Sequence, residues 1–206
     1  MSLLRRAIDG VTKAAALTRP PVGSSFNGVG LSLGGPTRTL SNLSTMSVSG
    51  WLFACVDRIA SSVSAVEWNL YQKLRNGDLE EISDHILLDV WAKPNPFYTN
   101  QELLEVSIQH FELAGEIWWL LLRNSLGIPV EMWPIRPDRM SPVPSRDGYI
   151  AGYLYQVGAE RIPLAVEDVV FIRRPSPIDP YRGIGVVGSI LSTIATEREA
   201  SEWTAA

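Results

Sequence analysis

Apolar residues along this chain switch between two spacings, and the switches mark its elements. Leu52, Val56, Ile59, Val63 and Val66 recur at steps of four and three, one face of a helix. Ser49 stands ahead of them as an N-cap. Asp57, Ser61 and Ser64 fall on another face. Ala54, Ala60, Ser61, Ser62 and Ala65 are small enough to admit a close neighbour. From Glu67 to Leu74 the spacing becomes two, with Trp68 and Leu70 on one side, which predicts a strand. Asn76-Gly77 predicts a hairpin turn, and Leu79 to Ile82 the return. Asp84 is expected to cap a short helix from His85 to Ala92, which Pro94-Asn95-Pro96 breaks.

Thr99 followed by Glu102 fits a capping box. The helix it opens, Asn100 to Ala114, carries two apolar stripes, Leu104/Ile108/Phe111 and Leu103/Val106/Leu113. Glu102, Glu105, Gln109 and Glu112 remain as a narrow solvated face, so most of this helix is expected to be covered. Gly115 ends it. Ile117 to Leu122 is continuously apolar, as a strand buried on both faces would be. Asn124 to Gly127 turns the chain into a partner strand, Val130 to Ile135, whose end Pro134 and Pro137 keep from a central position. Asp147-Gly148 predicts a hairpin between Met140–Pro144 and Tyr149–Val157. Pro163 starts a last approach, and Val169 to Arg173 is a short buried strand. After the loop RPSPIDPYRG, a helix is expected from about Ile184. It reaches Ala206 without a Gly, Asn or Pro stop signal, so it is expected to continue. The fold class is α+β, with helices packed on mixed or antiparallel sheet.

Residues 1–46 read differently. Met1 to Leu17 has the pattern of a short amphipathic helix, Arg19-Pro20-Pro21 stops it, and a Gly/Ser/Thr/Asn-rich tract follows. That tract carries too little apolar surface to offset the entropy of ordering it. Arg5, Arg6, Lys13, Arg19 and Arg38 against Asp9 make the arm basic, a composition shared with transit peptides. A mobile arm is the expected reading, with the folded domain at 47–206.

Composition narrows the function classes. The net charge of −4 and the lack of a basic patch interleaved with aromatics disfavour sequence-specific nucleic-acid binding. Seven Trp suggest large buried surfaces or interfaces. One cysteine excludes an internal disulfide and fits a reducing compartment. The longest apolar run, Ile117 to Leu122, is far short of the roughly 20 residues of a membrane helix, and Arg5-Arg6 is followed by no signal-peptide core.

Candidate chemistry is sparse. Gly183-Ile184-Gly185-Val186-Val187-Gly188 spells GxGxxG and opens a helix, which would suit a pyrophosphate. The loop from Arg174 to Arg182 separates it from the preceding strand, so close packing of a glycine-lined helix start is the expected role. Cys55 with His85 or His110 would make a thiol and its base. Cys55 instead sits among small residues beside the apolar stripe, as a packing residue, and His110 on the side of Leu103, Val106 and Leu113, as a satisfied core histidine. These residues form no metal-ligand spacing. Asp138 between Arg136 and Arg139, and Asp179 with Arg182, read as turns with local salt bridges. No catalytic residue, cofactor or metal is expected.

An ordered series of short motifs resembles tailed-bacteriophage portal proteins of the HK97 type. WLFACVDRIASSV from Trp51 and WNLY from Trp68 look like their opening helix and strand. HILLD from His85 and KPNPF from Lys93 resemble their short helix and its exit. LAGEIW from Leu113, GIPVEMWPIRPDRM from Gly127, EDVVFIR from Glu167 and DPYRG from Asp179 follow in order. The resemblance spans 47–206 and marks Pro94, Asn95, Pro96, Asp138, Asp179, Tyr181, Arg182 and Gly183 as structural motif residues. Phe171 stands where many relatives carry His, and Ile86 where many carry Pro. The resemblance implies a non-enzymatic subunit of a ring, twelve-fold in the family, at one capsid vertex of a virion assembled in the host cytoplasm. Double-stranded DNA passes through such a ring non-specifically. Implied partners are further copies, the major capsid protein or scaffold, the terminase motor and head–tail connector proteins, with no membrane. It also implies that stem, clip and most of the channel lining would follow Ala206. Rival expectations are a decayed prophage portal or other head–tail adaptor, and a small enzyme using the glycine stretch or Cys55.

Overall fold

The computed structural model describes residues 43–44, 49–145, 149–177 and 179–187. The arm expected at 1–46 (apart from Leu43 and Ser44), the turn at Asp147-Gly148 and the helix expected beyond Val187 lie outside the described residues.

Leu43 and Ser44 are helical, and the helix α1 (Gly50–Ser64) that follows is capped by Ser49, whose hydroxyl accepts from the Leu52 N–H. Its buried positions are Leu52, Val56, Ala60 and Ser64. The buried stripe is therefore rotated from the expected one: Ile59 and Val66 are exposed, while Ser64, assigned to a polar face, is buried. The reason is closeness of approach. Ala60 is fully buried and lets α1 lie against a second helix at short range, which larger residues would prevent. A two-stranded ribbon follows, β1 (Tyr71–Lys73) and β2 (Leu79–Glu81), turned at Asn76-Gly77 with Gly77 at φ +94°. The ribbon is exposed on both faces.

Helix α2 (Ile86–Ala92) starts one residue later than expected. His85 is its N-cap, accepting the Leu87 N–H on Nδ1, in place of Asp84. Helix α3 (Asn100–Ala114) has the expected capping box between Thr99 and Glu102 and ends at Gly115 in the left-handed region, φ +80°. Two three-stranded sheets complete the described core. The first has the order β4 (Pro129–Ile135), β3 (Glu116–Arg123), β8 (Val169–Arg173). The second has the order β5 (Met140–Pro144), β6 (Ile150–Val157), β7 (Glu160–Leu164). Every pairing in them is antiparallel. The strand β7 was not expected, because Pro163 lies within it; as an edge strand it tolerates the missing N–H.

The central strand β3 is covered on both faces, as its unbroken apolar run requires. Trp118, Leu120 and Leu122 join Trp133, Ile135, Met140, Tyr153, Tyr155, Leu164 and Val169 in a core between the two sheets. Trp119 and Leu121 face the opposite way, toward Val90, Leu103 and Met132 under α2 and α3. Trp118 stacks on its cross-strand neighbour Phe171, with ring centroids 3.7 Å apart, and meets Tyr153 edge-on at 5.2 Å. The expectation of a fully buried β8 is corrected: as the outer strand it is buried at Val169 and only half-covered along most of the rest.

Candidate functional site

The most constrained cluster sits where α3 passes into β3. The turn at Gly115 places Glu116 at the first position of the buried strand, and only 1% of its side chain is exposed. Three donors converge on this carboxylate. The Gly183 N–H donates to Oε1 at 2.7 Å, the Trp118 indole to Oε2 at 2.9 Å, and Arg182 Nε lies 3.0 Å from Oε1. Burial pushes the Glu116 carboxyl up from the ordinary carboxylate value. The Arg182 charge and the two neutral donors oppose that rise.

Arg182 extends the clasp into the second sheet. Its guanidinium donates to the carbonyls of Met140, at 2.6 Å, and Pro137, at 3.3 Å. Those carbonyls bracket the 3-10 turn Pro137–Arg139, in which Asp138 takes a bidentate pair from Arg136 at 3.0 and 2.9 Å. Next to it, Tyr181 stacks on Tyr149 at 4.9 Å, and the Tyr149 hydroxyl donates to the Pro180 carbonyl. Asp179 shapes the loop by accepting the Tyr181 N–H at 2.8 Å.

The glycines Gly183 and Gly185 let this loop lie directly on backbone. A Cβ at Gly183 would collide with the Gly115 carbonyl, and one at Gly185 with the Leu113 carbonyl. Three backbone bonds fasten the approach: Arg174 N–H to Gly115 O, Ile184 N–H to Arg174 O and Val186 N–H to Glu112 O. Val187 then inserts among Leu52, Val56 and Leu113 between α1 and α3. The glycine stretch, as far as Val187, is thus consumed by packing, which leaves the pyrophosphate reading without an open backbone. Gly188 lies outside the described residues.

The motif residues fall into two places. Asp138, Asp179, Tyr181, Arg182 and Gly183 meet around the clasp. Pro94, Asn95 and Pro96 stay apart and tie the α2–α3 link to β4. The buried Asn95 donates from Nδ2 to the Met132 carbonyl at 2.7 Å and accepts the Phe97 and Tyr98 N–H groups on Oδ1. The Pro94 carbonyl takes the Met132 N–H in return.

Three readings of single residues change. Arg182 was expected to bridge Asp179 and instead pairs with Glu116. Glu112 was assigned to a solvated face, yet it forms an ion pair with Arg174, which also lies over the Phe111 ring at 4.7 Å. Cys55, expected to pack, is exposed. His110 is half-buried on α3. Its pKa is pushed down to about 4 by desolvation and by the nearby Arg136 charge, so it stays neutral at pH 7. Sequence reasoning missed Glu116 and Ser107. The Ser107 hydroxyl takes the Trp119 indole N–H at 2.7 Å inside the core. For Glu116 a signal exists: a lone acid between a helix-ending glycine and an apolar strand.

Among the described residues, no group of three or more His, Cys, Asp or Glu could hold a metal ion. No described helix is long and apolar enough to cross a membrane.

The geometry has solved counterparts. The chain is similar to one in the neck of a native gene transfer agent (GTA) particle computed with C12 symmetry, with TM-score 0.71 and 26% identity; the match covers 82% of this chain and 44% of that one. It is also similar to one in the neck of an empty GTA particle computed with C6 symmetry, with TM-score 0.74 and 25% identity, covering 94% and 49%. A chain of the native GTA virion matches in fold, with TM-score 0.70 at 24% identity, covering 96% and 49%. The chain therefore spans about half the length of the solved chains it matches, 44–49%. No curated protein matches it. The model of the phage portal protein family matches from Trp51 to Ala206, which takes in the clasp, both three-stranded sheets, α2, α3 and all of α1 but Gly50, so the chain belongs to the phage portal protein family.

Proposed function

We propose that the chain is a portal subunit, or the front part of one, and works as a wedge in a ring at the neck of a phage-like particle. The family match over 51–206 carries this reading, and the C12 and C6 symmetry of the similar necks supports a ring of identical copies. Genomic double-stranded DNA passes through the ring, driven by a separate terminase motor. The ring also meets the capsid protein or scaffold and the head–tail connector. The basic arm, 1–46, precedes the domain, 47–206, and meets it at Leu43, which packs on the cluster of Leu52, Val56, Leu113 and Val187. The subunit acts without catalysis.

The physical design suits that role. The net charge of −4 gives phosphate backbones little to grip, so DNA would slide and not stall. The core is tied across its layers by Glu116–Arg182 and Asn95, bonds that hold a shape under load. Head-to-tail contacts that close on themselves make a ring. Mass measurement on the purified full-length subunit at high concentration tests the reading. A closed multimer of uniform mass is expected, and a strict monomer would overturn it.

A further inference from the structure

The first two turns of helix α1 carry only apolar and small residues. Gly50 to Val56 contains no charged residue, and Leu52, Val56 and Ala60 are already buried. α3 supplies that cover, through Leu113. A second strip remains on the flank of α1 beside that buried face. Trp51, Cys55 and Ile59 follow one another at steps of four, so they share one helix face. Trp51 is 82% exposed, Ile59 43%, and Cys55 is exposed as well. Helix turns that are apolar all round are normally covered on more than one face. An exposed Trp at the N-terminal end of an apolar strip, with Arg58 at its edge, has the composition of an interface anchor.

We infer that the Trp51–Cys55–Ile59 strip of α1 is covered by a second copy of this chain, at the seam between neighbouring subunits. This rests on the ring reading above, because rotational symmetry sets copies side by side with unlike faces in contact. The similar chains sit in particles computed with C12 and C6 symmetry, which is why a second copy is chosen as the occupant. The rival occupant is another part of the same polypeptide chain, since the similar chains are about twice as long.

The native Cys55 reports on the strip directly. Maleimide labelling of the protein is compared between the assembled fraction and the dissociated single chain. Loss of Cys55 reactivity on assembly, with free reaction in the single chain, is the expected result. Equal labelling in both states overturns the inference, and so does protection in the single chain, which would mean that the chain covers its own strip. Trp51→Asp and Ile59→Asp are then measured by mass and by unfolding midpoint. Each should keep the wild-type midpoint and lose the assembly. A variant that keeps both midpoint and assembly overturns the assignment of this strip while leaving the ring intact. If the wild-type protein does not assemble at all, the ring reading itself fails, and this inference with it.

Discussion

Removing the Glu116 carboxylate should cost more than any other single truncation of a charged side chain in the described core. In Glu116→Ala the Gly183 N–H and the Trp118 indole lose their acceptor inside the protein, and Arg182, 19% exposed, loses its counter-charge. An unsatisfied buried donor costs about 1–3 kcal/mol, and breaking a buried ion pair from one side about 3–5 kcal/mol. The two overlap, because the same desolvation is counted in both, so the expected loss is about 4 kcal/mol. Against a total stability of about 5–15 kcal/mol that is a large fraction. Arg182→Met should cost a similar amount, since it strands the carboxylate and frees the Met140 and Pro137 carbonyls. The double variant Glu116→Ala/Arg182→Met should then lose clearly less than the sum of its single variants, with a coupling of about 2 kcal/mol. Urea unfolding at pH 7, followed by Trp fluorescence, measures all of these. The partly exposed pair Arg123–Asp168, at 3.0 Å, serves as comparison; Asp168→Asn there should cost less, about 1–2 kcal/mol. The reasoning fails if the clasp variants unfold within 1 kcal/mol of wild type or if their losses simply add.

Three further outcomes test other joints. Gly185→Ala drives a Cβ into the Leu113 carbonyl and Ala114 nitrogen, and should lower stability by about 2–3 kcal/mol in the same urea assay. A neutral result would mean that the loop does not lie on α3. Asn95→Ala removes three hydrogen bonds, one buried and two part-buried, and should cost about 2–3 kcal/mol; Asn95→Asp should cost at least as much, because it turns a carboxylate oxygen toward the Met132 carbonyl. For His110, the folded pKa of about 4 lies below the ordinary 6.5, so the unfolded chain binds the proton first on acidification. Its contribution is complete above pH 6.5 and is lost as pH falls toward 4, by about 2 kcal/mol at pH 5. Glu116 acts with the opposite sign, since its raised pKa makes the folded state the better proton binder above the ordinary carboxylate value. Comparing denaturation curves of wild type and His110→Gln from pH 7.5 to 5 isolates the histidine, and an unchanged slope in the variant would refute the assignment.

Much of the local structure is decided within a few residues of sequence. The caps at Ser49 and Thr99, the stop at Gly115 and the turns at Asn76-Gly77 and Asn124 to Gly127 are legible because a hydroxyl, a carboxylate or a positive φ acts on backbone close by. The double burial of β3 is legible for a related reason: a strand with no polar alternation has no face to offer water. So is the edge place of β4, where Pro134 lacks a donor.

What the sequence alone left open are the pairings between distant segments. Whether Arg182 turns to Asp179, three residues away, or to Glu116, far back in the chain, depends on where the loop lands. The same holds for Glu112, which reads as solvated until Arg174 is brought over it. The stripe of α1 shifted from Ile59 to Ala60 because the cover by α3 favours the residue that allows the closer approach. Helical spacing shows which residues share a face but not which face a neighbour will take. Periodicity, caps and turns are short-range chemistry and can be read from order alone. Ion pairs, glycine contacts and the choice of buried face are set by which surfaces meet, and only the tertiary structure decides that.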